Sequence, residues 1–189
     1  DIVLLGHGSR RGTDTNIGLQ EVVRRLQWRL NGGSRVRMAG FEFTPPSLEE
    51  AVLSLAGEGA RSIVVLPYFL FDGRHVRIEI PQELERLRRL IPGISLSYAR
   101  TLGVDSRLAQ MVVERVETAL GHIGKAKSKG IVLVRRGSRP EYDSGEDLRR
   151  LADRVGGVYQ GQARVEPAQA QFGSPTIEEA AASLAKWAA

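Results

Sequence analysis

The sequence predicts an α/β fold of two homologous units, each a parallel sheet with helices on both faces. Short apolar runs alternate with amphipathic segments along the 189 residues, which is typical of parallel strands connected by helices. Runs such as residues 63–66 are apolar without alternation, which favours strands buried on both faces. The chain also repeats itself. Residues 2–10 align with residues 131–139, and the same offset of 129 aligns residues 41–51 with residues 170–180.

The repeat divides the chain into three parts. The alignment predicts a first unit at residues 1–122, a linker at 123–130 and a second unit at 131–189. The linker is rich in Lys, Gly and Ser, which favours an irregular connection. The second unit stops about halfway through the length expected from the first, so we expect it to be incomplete in this chain.

The first elements of the chain can be assigned in order. Residues 2–5 read as a short buried strand, residues 17–30 as an amphipathic helix and residues 36–43 as the next strand. The sequence Ser-Leu-Glu-Glu at residues 47–50 is a capping box, which begins a helix by satisfying its free amide groups. Thr-Ile-Glu-Glu at residues 176–179 repeats this signal in the second unit.

The rest of the first unit continues the alternation. Residues 62–66 read as a strand, and a long loop follows as far as Ile80. Pro81 is expected to open a helix, because proline is well tolerated in a first helical turn. Residues 94–98 then read as a fourth strand and residues 106–120 as a further helix.

Composition excludes several classes of protein. Hydrophobic residues make up 42% and charged residues 26%, as in ordinary globular domains. No apolar run approaches 18 residues, so we expect no membrane span. Cysteine is absent, which excludes disulfides and thiolate metal ligands and favours a cytoplasmic location.

The charge points to an anionic partner. The net charge is +5, and Arg provides 23 of the 27 basic residues. Arg binds carboxylate and phosphate groups through two parallel hydrogen bonds. Genome composition or heat adaptation would enrich Arg equally well. Nucleic acid is not expected as a partner, because the charges are scattered and only 6% of residues are aromatic.

Three potential metal ligands follow three neighbouring strands. His7 comes after the first strand, Glu42 lies at the end of the second, and His75 lies in the loop after the third. The carboxyl ends of parallel strands meet at one edge of a sheet, where ligands bind. Two imidazoles and a carboxylate form a three-ligand site for a divalent transition metal, with positions left open.

Each of these residues also has a purely structural interpretation. His7 lies between two glycines and could cap the helix after a strand-to-helix turn. A phosphohistidine role is disfavoured, since histidine phosphatases carry Arg where this chain has Gly6. Glu42 could be a surface residue, although its flanking phenylalanines would suit it to accept a proton. His75 could be a solvated loop residue, and His122 is expected to cap a helix without a functional role.

The second unit serves as an internal control. At the offset of 129, His7 aligns with Arg136 and Glu42 aligns with Gln171. The surrounding sequence is kept while both candidate ligands are replaced. We therefore expect these residues to be unnecessary for folding, and we expect metal chemistry in the first unit alone.

The motifs resemble those of the sirohydrochlorin chelatases of the CbiX/SirB type, within the class II, ATP-independent tetrapyrrole chelatases. The resemblance covers residues 2–120 and matches the long, two-unit form of the family. In the third motif, Glu79 replaces the usual Asp. The three matching segments are Gly6-His7-Gly8-Ser9-Arg10, Glu42 with Pro46-Ser47-Leu48, and Pro67-Tyr68-Phe69-Leu70 running into Gly73-Arg74-His75-Val76-Arg77-Ile78-Glu79-Ile80-Pro81.

The resemblance implies a lyase-type enzyme that inserts Co²⁺ or Fe²⁺ into sirohydrochlorin for cobalamin or sirohaem biosynthesis, without ATP or an organic cofactor. It implies that His7 and His75 hold the metal and that Glu42 is a ligand or a proton acceptor. Side chains near the same edge are expected to receive the carboxylate arms of the tetrapyrrole. These are Ser9, Arg10, Arg11, Arg74 and Arg77.

Other functions remain open at this point. A carrier of metal or tetrapyrrole would use the same ligands without turnover. A purely structural fragment would bind the macrocycle poorly if the missing half of the second unit completes the cleft. The sequence also leaves a homo-oligomer open, since an incomplete second unit could pair its sheet edge with another chain.

Overall fold

The structure, a computed structural model, describes residues 1–9, 17–121, 129–137, 142 and 145–188. Strands and helices alternate along the chain. The strands are β1 Ile2–Gly6, β2 Val36–Gly40, β3 Ser62–Pro67, β4 Ser95–Tyr98, β5 Lys129–Gly137 and β6 Ala163–Phe172. The helices are α1 Ile17–Arg29, α2 Leu48–Gly57, α3 Ile80–Leu90, α4 Ser106–Leu120, α5 Glu146–Val158 and α6 Ile177–Ala188, and a π-helical turn at His75–Glu79 directly precedes α3.

The first four strands form one parallel sheet in the order β2-β1-β3-β4. The central strand β1 pairs with β2 and β3, so that Gly6 lies opposite Gly40 and Leu5 lies opposite Pro67. The chain therefore leaves all three strands at the same edge. This confirms the predicted α/β class and the predicted convergence of the three loops.

The core of the first unit lies between this sheet and the helices α2 and α3. Val3 and Leu5 of β1 pack in one cluster with Leu55 of α2 and Leu84 of α3, and all four are almost completely buried. Leu4 points to the opposite face because side chains alternate along a strand, and it is also buried. Both faces of the strand are thus covered, as the unbroken apolar runs predict.

The capping boxes form at both predicted positions. The Ser47 hydroxyl accepts a hydrogen bond from the Glu50 amide, and the Glu50 carboxylate accepts one from the Ser47 amide. Thr176 and Glu179 make the same reciprocal pair at the start of α6. An isolated bridge joins Gly40 to Ser47 in the first unit, and the equivalent bridge joins Gln169 to Thr176 in the second. The sequence repeat is therefore a structural repeat as well.

The second unit of the sequence repeat contains β5, α5, β6 and α6. Its two strands pair in parallel from Lys129 opposite Ala163 to Gly137 opposite Phe172. No helix in the described part of the chain combines the length and apolar composition needed to cross a membrane.

The two compact units divide between Leu102 and Gly103, earlier than the predicted boundary at residue 122. Helix α4, which the repeat assigns to the first unit, instead contacts α5 and belongs to the second compact unit. The predicted linker lies mainly in residues 122–128, outside the described residues.

Two local predictions were wrong. The second strand ends at Gly40 and not at residue 43, because Phe43 adopts a positive φ of 58° that an extended strand does not allow. The loop predicted up to Ile80 is helical from His75, where the π-helical turn begins. Pro81 lies in the first turn of α3, as expected, and the π-helical turn leads directly into that helix.

The loop after β1 and the loop after β2 cross at very short distance. Gly8 has a φ of 88°, and a Cβ built on it would lie 1.7 Å from the Glu42 carbonyl oxygen. The Ser9 amide donates to the hydroxyl of buried Thr44 at 3.0 Å. The Thr44 amide donates to the Glu42 carbonyl across Phe43, which with the positive φ of Phe43 forms a γ-turn. These contacts fix the backbone on both sides of Glu42.

Replacement of Leu55 by Ala tests the core. Leu55 is fully buried, whereas Leu53 on the same helix is 39% exposed. We expect Leu55→Ala to lower the free energy of unfolding by about 2–5 kcal/mol, because it removes buried methyl groups and leaves a cavity. Leu53→Ala should cost much less. Urea denaturation of both variants measures the difference, and equal losses would contradict the assigned burial.

Replacement of Gly8 by Ala tests the close crossing of the two loops. Gly59 is a matched control, since its φ is 89° but a Cβ there would meet nothing within 4 Å. Gly59→Ala should cost about 1–2 kcal/mol for the left-handed backbone alone. Gly8→Ala adds a collision of the new Cβ with the backbone of Glu42. Urea denaturation should therefore show a clearly larger loss in the free energy of unfolding for Gly8→Ala than for Gly59→Ala. If both variants lose the same amount, the loop containing Glu42 is free to move away.

Candidate metal centre

Three side chains from separate segments meet at the carboxyl edge of the first sheet. His7, Glu42 and His75 each offer one ligand atom, and these atoms lie within 4.8 Å of one another. Ligands bound about 2.0–2.2 Å from one cation lie roughly 3–4 Å apart. Small side-chain rotations would therefore bring all three onto a single ion. Among the described residues this is the only group of three or more such side chains.

Backbone hydrogen bonds extend the sheet pairing into the site. The Phe41 amide donates to the Gly6 carbonyl at 2.8 Å, and the Glu42 amide donates to the His7 carbonyl at 2.9 Å. Glu42 is thus held beside His7 by main-chain contacts beyond the end of β2. The side chain of Glu42 remains half-buried, while His7 is exposed.

The two imidazoles pack against each other and against aromatic rings. The ring centroids of His7 and His75 are 4.9 Å apart with an interplanar angle of 78°. The ring of Phe41 lies 5.2 Å from that of His75, and the ring of Phe69 lies 6.2 Å from that of His7. These contacts restrict the orientations that both imidazoles can adopt.

The two imidazoles differ in their hydrogen bonds. Nδ1 of His7 lies 3.3 Å from the carbonyl oxygen of its neighbour Gly8. Nδ1 of His75 makes a short hydrogen bond with the carboxylate of Glu79, four residues later in the π-helical turn. In both residues these contacts involve Nδ1 and not Nε2.

The π-helical turn is supported from β4. The Ile80 amide donates to the His75 carbonyl, so the next carbonyl in the same pattern, that of Val76, would accept from residue 81. Pro81 has no N–H group, and the Tyr98 hydroxyl donates to the Val76 carbonyl instead, at 3.3 Å. Burial and the nearby Asp72 carboxylate raise the pKa of Tyr98 to about 12, so its hydroxyl keeps its proton.

The residues expected to bind the carboxylate arms of the substrate make different contacts in the structure. The Arg74 guanidinium contacts Glu79 at 2.7 Å, and that of Arg77 contacts Asp72 at 3.6 Å. Both arginines are more than half exposed, so these ion pairs remain open to exchange. The Ser9 amide is bound to Thr44. Arg10, Arg11 and His122 lie outside the described residues.

Large apolar side chains are exposed on the loops around the site. Phe43 follows β2, and Tyr68 and Leu70 follow β3, and each is more than 40% exposed. Exposed apolar groups gathered near a functional site are typical of a surface that receives an apolar ligand.

Two contributors to the site were missed in the sequence. Thr44 has no distinctive sequence pattern, because a buried threonine carries none. The contact of Glu79 with His75 does not follow from a loop at residues 67–80, where only the departure from the usual Asp is visible. In a helix, the spacing of four residues from His75 to Glu79 would have indicated that the two side chains meet.

The second unit has no equivalent group of ligands among its described residues. Arg136 takes the position of His7 and Gln171 that of Glu42, and the Arg136 Nε donates to the Gln171 Oε1 at 2.8 Å. The same backbone frame therefore forms around a different pair of side chains.

The CbiX family model matches residues 1–119. A chloroplastic sirohydrochlorin ferrochelatase from Arabidopsis thaliana is 33% identical over 122 residues, which are 65% of this chain and 53% of that protein. A sirohydrochlorin cobaltochelatase from Sulfurisphaera tokodaii is 38% identical over 79 residues, 42% of this chain and 62% of that protein. The chain thus spans between half and two thirds of the length of these curated relatives.

A solved structure of SirB from Bacillus subtilis with Fe³⁺ has the same fold. It matches with a TM-score of 0.79 at 24% sequence identity, covering 97% of this chain and 70% of that one. Since the family model covers well over half of the sequence, including His7, Glu42 and His75, this chain belongs to the CbiX family.

Proposed function

We propose that this protein is a lyase-type chelatase that inserts Co²⁺ or Fe²⁺ into sirohydrochlorin without ATP. The observation that carries the proposal is the meeting of two imidazoles and a carboxylate within 4.8 Å at an exposed sheet edge. Relatives named as ferrochelatases and as cobaltochelatases support the substrate class and keep both metals in the proposal. Either pathway, to sirohaem or to cobalamin, would use this reaction.

In the proposed mechanism, His7 and His75 bind the incoming metal through Nε2. Imidazole and carboxylate ligands suit both Co²⁺ and Fe²⁺. Three protein ligands leave coordination positions open, into which the pyrrole nitrogens can enter. The metal is the substrate and must leave, so an incomplete set of protein ligands suits the reaction better than a closed structural site.

Metal insertion releases two protons from the macrocycle, so a base is required. Glu42 is the acidic side chain within reach of both imidazoles, and we assign it the role of proton acceptor or ligand. Each proton that leaves a pyrrole nitrogen is replaced by a metal–nitrogen bond, so two protons leave for each divalent ion inserted.

The macrocycle would be held by apolar and ionic contacts. Phe43, Tyr68 and Leu70 offer exposed apolar surface to its flat face. Arg74 and Arg77 would exchange their present carboxylate partners for the carboxylate arms of the substrate. Exposed ion pairs contribute only about 0–1 kcal/mol each, so several arms must bind together, with Arg10 and Arg11 also expected to contribute.

The roles of the three ligands can be tested by replacing them one at a time. We expect His7→Ala and His75→Ala to reduce metal insertion to near the uncatalysed rate. Glu42→Gln should reduce it by about 10²–10⁴-fold if Glu42 accepts a proton. The absorption spectrum of sirohydrochlorin during incubation with Co²⁺ or Fe²⁺ measures the rate.

Arg136→Ala and Gln171→Ala are matched controls, because they change the equivalent positions of the second unit and should leave the rate unchanged. Native activity in the His7→Ala and His75→Ala variants would refute the assignment. If the parent protein binds metal and macrocycle but never exceeds the uncatalysed rate, it is a carrier.

Binding of the metal alone can be measured by thermal unfolding. A ligand present at 100 times its Kd stabilises the folded state by about 2.7 kcal/mol. We therefore expect Co²⁺ to raise the Tm of the parent protein and to have little effect on His75→Ala. The Tm of Arg136→Ala should rise as in the parent. A rise that persists in His75→Ala would place the metal elsewhere.

A further inference from the structure

The carboxylate of Glu79 contacts both His75 and Arg74. One of its oxygens bonds to Nδ1 of His75, and the other accepts from Nε of Arg74 at 2.7 Å. Glu79 and His75 are both about one quarter exposed. We propose that Glu79 is a positioning residue, which holds the proton of His75 on Nδ1 and thereby presents the lone pair of Nε2 to the metal. This inference rests on the proposed metal role of His75.

The hydrogen bonds of Glu79 determine the tautomer of His75. Arg has donors and no acceptor, and an ionised carboxylate has acceptors and no donor. With Arg74 bound to one oxygen, the other oxygen accepts from His75, so the proton lies on Nδ1. A neutral imidazole has a lone pair on only one nitrogen. That lone pair is then on Nε2, the nitrogen that does not contact Glu79.

The surrounding backbone fixes this pair of side chains. Both lie in the π-helical turn, an irregularity that occurs frequently at functional sites. The Tyr98 hydroxyl holds the Val76 carbonyl within the turn, and the ring of Phe41 packs against the imidazole. Carboxylates that orient a metal-binding histidine typically change metal affinity by about 10–100-fold when they are lost.

Replacement of Glu79 by Gln separates a positioning role from a merely structural one. Gln has nearly the same shape and should preserve the fold. Arg74 can only donate, so it would hold the amide oxygen of Gln, and the NH₂ group would face His75. The imidazole would then have to accept at Nδ1 and carry its proton on Nε2. We expect Glu79→Gln to weaken Co²⁺ binding at least as much as Glu79→Ala, in which water can replace the carboxylate.

The tautomer can be measured directly in the metal-free protein. Two-bond ¹H–¹⁵N correlation spectra of the neutral imidazole distinguish Nδ1–H from Nε2–H. The resonances of His75 are assigned by their loss in His75→Ala. We expect the Nδ1–H form in the parent, the Nε2–H form in Glu79→Gln and a mixture in Glu79→Ala.

Glu83 provides the control, since it lies one turn further along and lines the same cavity of about 570 Å³ as Glu79. Glu83→Ala should leave both the tautomer and the Co²⁺ affinity unchanged, whereas Glu79→Ala should weaken Co²⁺ binding by about 10–100-fold in a calorimetric titration. An Nδ1–H tautomer and native affinity in Glu79→Gln would overturn the proposal.

The two proposals fail in different experiments. If the parent protein inserts metal and His75 keeps the Nδ1–H tautomer in Glu79→Gln, the chelatase function stands and the positioning role of Glu79 is refuted. If no metal is inserted but the tautomer changes as expected, the hydrogen-bond role stands and the chelatase function falls.

Discussion

The parallel pairing of β1 with both of its neighbours is the constraint on which the site depends. It places Gly6 opposite Gly40 and Leu5 opposite Pro67, so three loops far apart in sequence leave the sheet at one edge. Backbone hydrogen bonds between the β1 and β2 segments of the chain continue past the ends of the strands as far as Glu42. The first residues of the loops are therefore held in the same register as the sheet. A shift of one residue in either register would turn the neighbouring side chains to the opposite face and separate the three ligands.

The sequence predicts the fold and the meeting of His7, Glu42 and His75 well, because both depend on patterns that are local or periodic. Apolar runs mark the strands, and Ser47 and Glu50 mark the start of a helix. The errors lie where a long-range contact overrides the local pattern. The extended conformation expected at Phe43 is lost because the loop folds back against Gly8 and Ser9. The π-helical turn at His75 also receives a hydrogen bond from Tyr98, a residue of the next strand, which the local sequence does not reveal.

The two units show that one backbone frame accepts different polar contacts. In the first unit, Gly40 leaves room for Thr44, whose hydroxyl binds the Ser9 amide. In the second, the equivalents of Gly40 and Thr44 are Gln169 and Gly173. The side chain of Gln169 binds the Ser174 carbonyl at 3.0 Å and the Arg135 guanidinium at 3.1 Å. The polar side chain has moved from the loop to the strand, while the bridge to the following helix is retained.

The unequal anchoring of the two imidazoles has a consequence for how a bound cation would depart. His75 is bonded to a carboxylate and packed against Phe41. His7 is exposed, and besides its ring contacts with His75 and Phe69 its imidazole has, among the described residues, only a 3.3 Å contact with the carbonyl of its own neighbour Gly8. The bond to the looser donor breaks at lower cost, because less surrounding structure must rearrange. If His7 and His75 bind the ion as proposed, it would therefore leave His7 first and His75 last.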